Sequence, residues 1–268
     1  MKNLFDLKGK VVLVTGGTGQ LGSSYSSILA EHGASVVIAD ISEEKCLALA
    51  EGLNTKFNTN SSGFKCDLTL EKDIKSTFSF IEDKYGKLDS IINNAAATGE
   101  YLQKKGSVFA DFEDYSLDLW NEVLNINLTG VFLICREGGK MMKKQSSGSI
   151  INVSSMYGVV GPDHQIYEGM SFKSFAAYSA SKAGVHGLTQ WLATYWGPNN
   201  IRVNTLVPGG VQNDSHDPIF VQRYSKRTPL RRMARKEDML GVVLYLVSDS
   251  SSYSTGQKFY VDGGWTAQ

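Results

Sequence analysis

Short apolar segments alternate with longer amphipathic segments along the chain. The apolar segments end at glycine or polar residues, which predicts buried strands. They cover residues 10–15, 35–40, 63–66, 88–93, 148–154, 201–207 and 257–261. The intervening segments predict helices at 21–32, 43–53, 70–85, 115–144 with a break near Asn127, 175–196 and 236–248.

This order of elements predicts the fold class. Alternation of strand and helix implies a mainly parallel sheet with helices on both faces. Strands that are covered on both faces are continuously apolar, as these are. We therefore expect an α/β protein with one doubly wound parallel sheet. Residues 1–268 contain no linker, repeat or low-complexity segment, so a single domain is expected.

Composition and charge serve mainly to exclude classes of protein. Lysine and arginine total 27, as do aspartate and glutamate, so the charge balance indicates no nucleic-acid or membrane partner. No apolar run reaches the length of a signal peptide or a membrane span. The scattered residues Cys46, Cys66 and Cys135 form no metal-type cluster and are typical of a reducing compartment. We expect a cytoplasmic protein without a metal site.

The turn after the first predicted strand has glycine at positions 16, 17, 19 and 22, and Asp40 ends the second strand. Glycines allow the backbone to approach a pyrophosphate, and the N-terminus of the next helix stabilises its charge. An acidic residue at the end of the second strand can bind ribose hydroxyls and would repel a 2′-phosphate. Ile41 offers no positive charge beside it. These features predict a Rossmann-type site for NAD in preference to NADP.

Further motifs resemble those of the short-chain dehydrogenase/reductase superfamily over essentially the whole chain. They are Asn93-Asn94-Ala95-Ala96, Asn125-Ile-Asn-Leu-Thr-Gly130, Ile150-Ile-Asn-Val-Ser-Ser-Met-Tyr-Gly158, Tyr178-Ser-Ala-Ser-Lys182, Pro208-Gly209 and Val261-Asp-Gly-Gly264. The glycines at 16, 19 and 22 match the spacing of the extended branch, which is rich in sugar-nucleotide epimerases. The compact branch has glycine where Gln20 stands. The other motifs and the chain length match the compact branch, to which we assign the protein.

The resemblance implies four catalytic residues: Asn127, Ser155, Tyr178 and Lys182. Tyr178 and Lys182 are four residues apart and share one helix face, where the ammonium favours the phenolate that acts as the base. Ser155 would bind the substrate oxygen, and Asn127 would support a water relay to Lys182. The implied reaction interconverts a secondary alcohol and a ketone, with hydride passing to or from the nicotinamide.

The resemblance also implies which residues contact the dinucleotide. Asn213 stands where the family often has a threonine near the carboxamide and pyrophosphate. Lys182 can hold the nicotinamide ribose as well as act in catalysis. The full predicted set is Gly16, Thr18, Gly19, Gln20, Leu21, Asp40, Ile41, Asp67, Leu68, Asn94, Ala95, Ala96, Tyr178, Lys182, Pro208, Gly209, Val211 and Asn213.

Two segments are expected to shape the substrate pocket. Ser155 and Tyr178 are farther apart than in most compact members, and the excess forms an insertion at about 159–177. Residues at about 211–232 are expected to form a mobile substrate lid. The lid carries Arg223, Lys226, Arg227, Arg231 and Arg232. Such a group fits a phosphorylated or carboxylated substrate, and it fits a solvated or subunit-facing surface better.

Three functions are open on the sequence alone. The leading one is an NAD-dependent alcohol dehydrogenase or ketone reductase acting on a sugar or other polyol. The second is a sugar-nucleotide epimerase or dehydratase that retains tightly bound NAD. The third is a non-catalytic nucleotide-sensing module, which the complete set of catalytic residues disfavours. Helices at 115–144 and 175–196 usually build subunit contacts in this family, which implies a homodimer or homotetramer.

Overall fold

One sheet of seven parallel strands forms the centre of the molecule. The structure is a computed structural model that describes residues 3–104 and 109–268, the side chain of Lys104 excepted. The strands are β1 (Val11–Thr15), β2 (Ser35–Asp40), β3 (Ser62–Lys65), β4 (Ser90–Asn93), β5 (Gly148–Val153), β6 (Ile201–Pro208) and β7 (Lys258–Val261). Their order is β3-β2-β1-β4-β5-β6-β7, and neighbours are parallel. The predicted fold class is confirmed.

Helices connect the strands. They are α1 (Gln20–Glu31), α2 (Glu43–Phe57), α3 (Glu71–Tyr85), α4 (Gly99–Lys104), α5 (Leu117–Leu124), α6 (Gly130–Gln145), α7 (Ala176–Trp196), α8 (Pro218–Arg227) and α9 (Leu240–Val247). A π-helical turn, Asn125–Thr129, joins α5 to α6 where the sequence predicts a break. Two helices were not predicted, α4 and α8, and the prediction ended α2 too early.

The sheet is covered by an apolar layer on each face. Residues from α3, α6 and α7 pack on one face, and residues from α1, α2 and α9 pack on the other. Consecutive residues of β1, Leu13 and Val14, are fully buried in opposite layers, because side chains of a strand alternate between its faces. Burial on both faces explains the apolar run of the central strand β1, whereas the edge strands β3 and β7 are partly exposed and carry Lys65 and Lys258. No helix of the described residues is long and apolar enough to cross a membrane.

The strand order creates a crevice at one edge of the sheet. The chain runs from β1 outward to β2 and β3, then returns to place β4 on the other side of β1. The helices that follow β1 and β4 pack on opposite faces of the sheet, and ligands bind at such a switch point in open α/β sheets. Gly16, Asp40, Asn94, Ser155 and Pro208 all lie at or just beyond the carboxyl end of a strand.

Candidate active site

A cleft of about 1460 Å³ opens at the carboxyl ends of β1 and β4. The glycines of the first loop line one wall of it and pack tightly. Gly16 has φ of +60°, and a Cβ there would lie 2.7 Å from the Ala95 Cα. A Cβ at Gly22 would lie 2.1 Å from the Gly16 carbonyl oxygen. Both positions therefore require glycine, whereas Gly19, with 3.3 Å to the same oxygen, is less constrained.

Gln20 explains the unusual glycine spacing of this loop. It is the first residue of α1 and is exposed, so a side chain is accommodated there. Its Nε2 donates a hydrogen bond to the carbonyl oxygen of Gln212, 2.7 Å away. The spacing thus follows from the start of the helix and from this contact. It does not by itself distinguish an epimerase from a dehydrogenase.

Asp40, at the end of β2, lines the cleft with its carboxylate already hydrogen-bonded to the protein. Oδ2 accepts from the Thr18 backbone N–H at 3.0 Å and from the Thr18 hydroxyl at 2.6 Å. Oδ1 accepts from the Ile41 N–H at 2.8 Å. These bonds hold the carboxylate in one orientation. Thr18 itself does not line the cleft, so the structure gives it the role of orienting Asp40.

Asn94, after β4, ties its loop to the first loop. Its Nδ2 donates to the carbonyl oxygens of Thr15 and Gly16, both at 3.1 Å. The Thr15 hydroxyl accepts from the backbone N–H groups of Asn94 and Ala95, at 3.1 and 3.3 Å. The two loops are therefore held together at the switch point, and Ala95 and Ala96 line the cleft beside them.

Ser155, Tyr178 and Lys182 converge on the cleft from two elements. Ser155 follows β5, and the other two lie one turn apart on α7. The Ser155 hydroxyl lies close enough to the Tyr178 phenol to lower its pKa. The Lys182 Nζ lies 5.8 Å from the centroid of the Tyr178 ring and donates to the Val153 carbonyl oxygen at 2.8 Å. The sequence-predicted hydroxyl, phenol and amine are thus brought together.

Burial shifts the protonation of both α7 groups. It raises the pKa of Tyr178, and the neighbouring Ser155 hydroxyl works in the opposite direction. It lowers the pKa of Lys182 to about 8. Desolvation disfavours the charged form of each group, which gives these opposite signs. At neutral pH the phenol is therefore protonated, and Lys182 is the group whose charge changes first as the pH rises.

Asn127 lies in the π-helical turn and is fully buried. Its Oδ1 accepts from the Ala97 N–H at 2.7 Å, and its Nδ2 donates to the Ala97 oxygen at 3.3 Å and to the Ser181 hydroxyl at 3.2 Å. It therefore connects the loop after β4 to the residue that precedes Lys182. Asn127 does not line the cleft, and its side-chain amide is used in these contacts.

Most of the predicted cofactor-binding residues line the cleft. They are Gly16, Gly19, Gln20, Leu21, Asp40, Ile41, Asp67, Leu68, Asn94, Ala95, Ala96, Tyr178, Lys182, Pro208, Gly209 and Val211. Thr18 and Asn213 are outside this lining. The Asn213 Nδ2 donates to Glu100 of α4, and its Oδ1 accepts from the Ser215 N–H at 2.9 Å. Its amide therefore holds the lid to α4.

A chamber of about 850 Å³ adjoins Tyr178 and is enclosed by the insertion, the lid and α4. Three residues of its lining were not predicted from the sequence: Glu100, Tyr157 and His216. Tyr157 shares a hydrogen bond of 3.0 Å with the Tyr167 hydroxyl. His216 lies 3.7 Å from a Glu100 oxygen; burial lowers the pKa of His216 and the carboxylate raises it. Of these residues, only Tyr157 belongs to one of the family motifs. Glu100 and His216 are brought together by tertiary structure, which no local motif records.

The basic residues of the lid point away from both cavities. Arg223 donates to the Glu168 carbonyl oxygen at 2.5 Å, and Arg227 lies 3.6 Å from Asp163, so both contact the insertion. Arg232 pairs with both oxygens of Asp238, at 2.5 and 3.0 Å. The described linings of the cleft and the chamber include none of Arg223, Lys226, Arg227, Arg231 and Arg232. These contacts favour a structural role over recognition of an anionic substrate.

The cysteines are buried free thiols. Cys66 lines the cleft, but burial raises its pKa to about 11, so it carries little thiolate at neutral pH. Within the described parts of the chain, no three His, Cys, Asp or Glu side chains are placed to hold a metal ion. The chemistry of the site therefore rests on the hydroxyl, phenol and amine groups.

Known proteins resemble this chain both in sequence and in fold. A family model described as enoyl-(acyl carrier protein) reductase matches residues 19–266. Over 264 residues the chain is 38% identical to trans-4-hydroxycyclohexanecarboxylate dehydrogenase of Sinomonas cyclohexanicum, covering 96% of this chain and 93% of that protein. The chain belongs to the short-chain dehydrogenase/reductase superfamily. As a short-chain dehydrogenase/reductase it is an oxidoreductase of CH–OH groups, as the resemblance of its motifs implied.

Solved structures of short-chain dehydrogenases/reductases superimpose closely on this one. NAD⁺-bound xylitol dehydrogenase gives a TM-score of 0.84 with 31% sequence identity, covering 96% of this chain and 99% of that chain. A gluconate 5-dehydrogenase from Burkholderia cenocepacia, in complex with NADP and tartrate, gives 0.87 with 27% identity, covering 99% and 98%. The family thus uses NAD or NADP, and a nicotinamide dinucleotide is the cofactor of this chain.

Proposed function

We propose that this enzyme uses NAD to interconvert a secondary alcohol and a ketone in a sugar or other polyol. One observation carries the proposal. Tyr178 lies beside Ser155, with Lys182 one helical turn away; all three line the dinucleotide cleft, and Tyr178 also lines the chamber. Such a group can pass a proton to or from a substrate oxygen.

Two features of the cleft suit NAD: the backbone of the glycine loop and the absence of positive charge among the described lining residues near Asp40. Gly16 and Gly19 line the cleft beside the N-terminus of α1, where the helix dipole would favour the negative charge of a pyrophosphate. Asp40 would accept hydrogen bonds from ribose hydroxyls. The residues lining the cleft near it include Ile41, Asp67 and Leu68, and none of these carries a positive charge for a 2′-phosphate. This arrangement supports NAD over NADP.

The mechanism follows from what each side chain can donate. The bound nicotinamide supplies or accepts the hydride. In reduction, Ser155 and Tyr178 both donate hydrogen bonds to the substrate carbonyl oxygen, and Tyr178 transfers its proton to that oxygen. The Lys182 ammonium stabilises the phenolate that remains. In oxidation, the phenolate takes the proton from the alcohol by the same route. Asn127 would act through its contact with Ser181, which keeps this turn of α7 in position.

The chamber suits a hydroxylated carbon skeleton. Its walls combine aromatic rings with polar groups, a lining that can cover carbon and hydrogen-bond hydroxyls at the same time. These side chains are Tyr157, Tyr167, Phe172, Phe220, Glu100 and His216. The likeness to a xylitol dehydrogenase and a gluconate 5-dehydrogenase supports a sugar or polyol substrate.

The direct test is a panel of polyols, sugars and simple secondary alcohols with NAD or NADP, followed by the absorbance of the reduced nicotinamide. We expect net reduction of NAD and a loss of about 10²-fold or more in turnover for Tyr178→Phe, with NAD binding retained. A Tyr178→Phe variant as fast as the parent would contradict the mechanism. Stoichiometric NAD released on denaturation, with no turnover of added NAD, would instead favour an epimerase or dehydratase.

We further propose that the enzyme is a homodimer or homotetramer that works in the cytoplasm. On α7 the Trp191 and Tyr195 rings stack at 4.7 Å while remaining 59% and 56% exposed. Phe132 of α6 is 44% exposed. Large exposed aromatic side chains on neighbouring helices are typical of subunit interfaces.

A further inference from the structure

Gln20 makes a hydrogen bond that joins the first loop to the beginning of the lid. The acceptor, the carbonyl oxygen of Gln212, belongs to a well-held backbone segment. The Gln212 N–H donates to the Ala234 oxygen at 2.9 Å, and the Ala234 N–H donates to the Gly210 oxygen at 2.9 Å. Val211 and Ala234 also form a parallel bridge. The side chain of Gln20 thus bonds to a backbone segment that other hydrogen bonds hold in place.

This contact connects two loops that come from separated strands. Gln20 follows β1, and Gln212 follows β6, with β4 and β5 between them in the sheet. Three strand spacings amount to about 14 Å. The two loops therefore lean toward each other over the ends of the intervening strands. Gln20 and Val211, on the two sides of the contact, both line the cleft.

We propose that Gln20 acts as a latch that slows release of the dinucleotide. The inference rests on the cofactor role proposed above. The hydrogen bond between Gln20 and Gln212 joins two loops that both line the cleft, and a molecule as long as a dinucleotide would break it on leaving between them. A glycine at position 20, as in the compact branch, has no side chain to make this contact. Gln20, which replaces the glycine of the compact branch, would therefore have a function in cofactor release.

Three variants separate the latch from other effects. Gln20→Met keeps the length of the side chain and its helix propensity but removes the Nε2 donor. Gln20→Gly restores the compact spacing. Ser24→Ala is the matched control, because the Ser24 hydroxyl bonds only the Gln20 carbonyl oxygen, at 3.1 Å, within the same helix. It removes a hydrogen bond from this turn of α1 without touching the contact across the cleft.

Two measurements are needed, one with cofactor and one without. Stopped-flow fluorescence gives the rate at which NADH leaves when excess NAD⁺ displaces it. We expect Gln20→Met and Gln20→Gly to release NADH about fivefold faster, as loss of one hydrogen bond of ordinary strength implies. NADH should also bind faster, with Kd little changed, because the free protein makes the same contact. Hydrogen exchange of the free protein should show faster exchange in a peptide covering residues 211–217. Ser24→Ala should match the parent in both.

Each outcome decides the question. Unchanged NADH release in Gln20→Met would overturn the latch, whether or not hydrogen exchange changes, because the contact would then serve the lid alone. Release that accelerates equally in Ser24→Ala would overturn it too, since the cause would be a loosened helix. If the parent protein binds neither NADH nor NADPH, the proposed function fails, and the hydrogen-exchange comparison still reports whether the contact orders the lid.

Discussion

At the scale of single residues, Asp40 shows how an acidic side chain is prepared for a ligand. Its carboxylate accepts three hydrogen bonds from Thr18 and Ile41, which fix its direction before any cofactor binds. A group that is already oriented loses less entropy on binding, and this is the source of its selectivity as well as its affinity.

The first prediction concerns this carboxylate. Replacing Asp40 with alanine removes the acceptor for the ribose hydroxyls and the negative charge that opposes a 2′-phosphate. We expect NAD to bind about tenfold more weakly and the preference over NADP to shrink, because hydrogen bonds to a charged group are stronger than neutral ones. Binding titrations with both dinucleotides measure the effect. Thr18→Val should give a weaker shift in the same direction, and unchanged NAD affinity in Asp40→Ala would count against the assignment.

The second prediction concerns pH. Burial lowers the pKa of Lys182 to about 8 and raises that of Tyr178, so Lys182 loses its proton first as the pH rises. Loss of the ammonium removes the charge that stabilises the phenolate left by proton transfer. The kcat/KM for ketone reduction should therefore be constant well below pH 8 and decline above it. A reduction rate that keeps increasing through alkaline pH would show that Lys182 does not have this role.

At the scale of elements, the π-helical turn between α5 and α6 places a polar side chain inside the protein. Asn127 there bonds to Ala97 and Ser181, so three segments of the site meet at one amide. Such turns are rare and occur frequently at functional sites. Their buried polar groups must be fully paired, as these are.

The third prediction tests this junction. Asn127→Ala leaves the Ala97 N–H without its acceptor and removes the donor to the Ser181 hydroxyl, which keeps its bond to the Tyr178 carbonyl oxygen. A buried group left unpaired costs about 1–3 kcal/mol. We expect a lower free energy of unfolding by denaturant, and a lower kcat with KM less affected, because α7 is held less firmly. Asn121→Ala, at an exposed position of α5, is the control for stability. Equal stability of the two variants would contradict the assigned role.

Elements and motifs differ in how far the sequence predicts them. The inner strands could be predicted because burial on both faces makes them mostly apolar, and the partly exposed edge strands β3 and β7 were placed by their position in the alternating order. The helices α4 and α8 could not, because α4 is short and α8 lies in a polar segment whose only signal is the Asp217 cap and the proline after it. The Tyr178 and Lys182 pair is encoded locally, on one helix. Glu100 and His216 are far apart in the sequence and come together only in the folded protein, so their contact could not be predicted from a local sequence pattern.

The direction of a side chain is a second feature that a motif leaves open. Thr18 and Asn213 are predicted to contact the cofactor, and in the structure their side chains bond Asp40 and Glu100. A motif gives the position of a residue along the chain. The direction of its side chain depends on the hydrogen-bond partners that the fold supplies, which differ between members of one family.

At the scale of the whole molecule, the exposed aromatic face of α6 and α7 predicts self-association. Trp191→Arg combined with Tyr195→Arg introduces two charges into this face, and charge at the centre of an apolar interface opposes association. We expect light scattering to show a smaller assembly than for the parent. Tyr253→Arg, at a fully exposed tyrosine elsewhere, should leave the assembly unchanged. A double variant of the parent's size would place the interface on another surface.

The π-helical turn has a consequence for how the chain tolerates change in length. Its hydrogen bond from the Gly130 N–H to the Asn125 oxygen spans one residue more than an ordinary helical bond. A chain shortened by a single residue there could close the ordinary bond and keep α6 in the same packing on the sheet. Such a deletion would keep the helical path but lose the buried amide and its bonds to Ala97 and Ser181, with the cost in stability expected for Asn127→Ala. The surplus residue therefore serves the placement of that amide rather than the continuity of the helix.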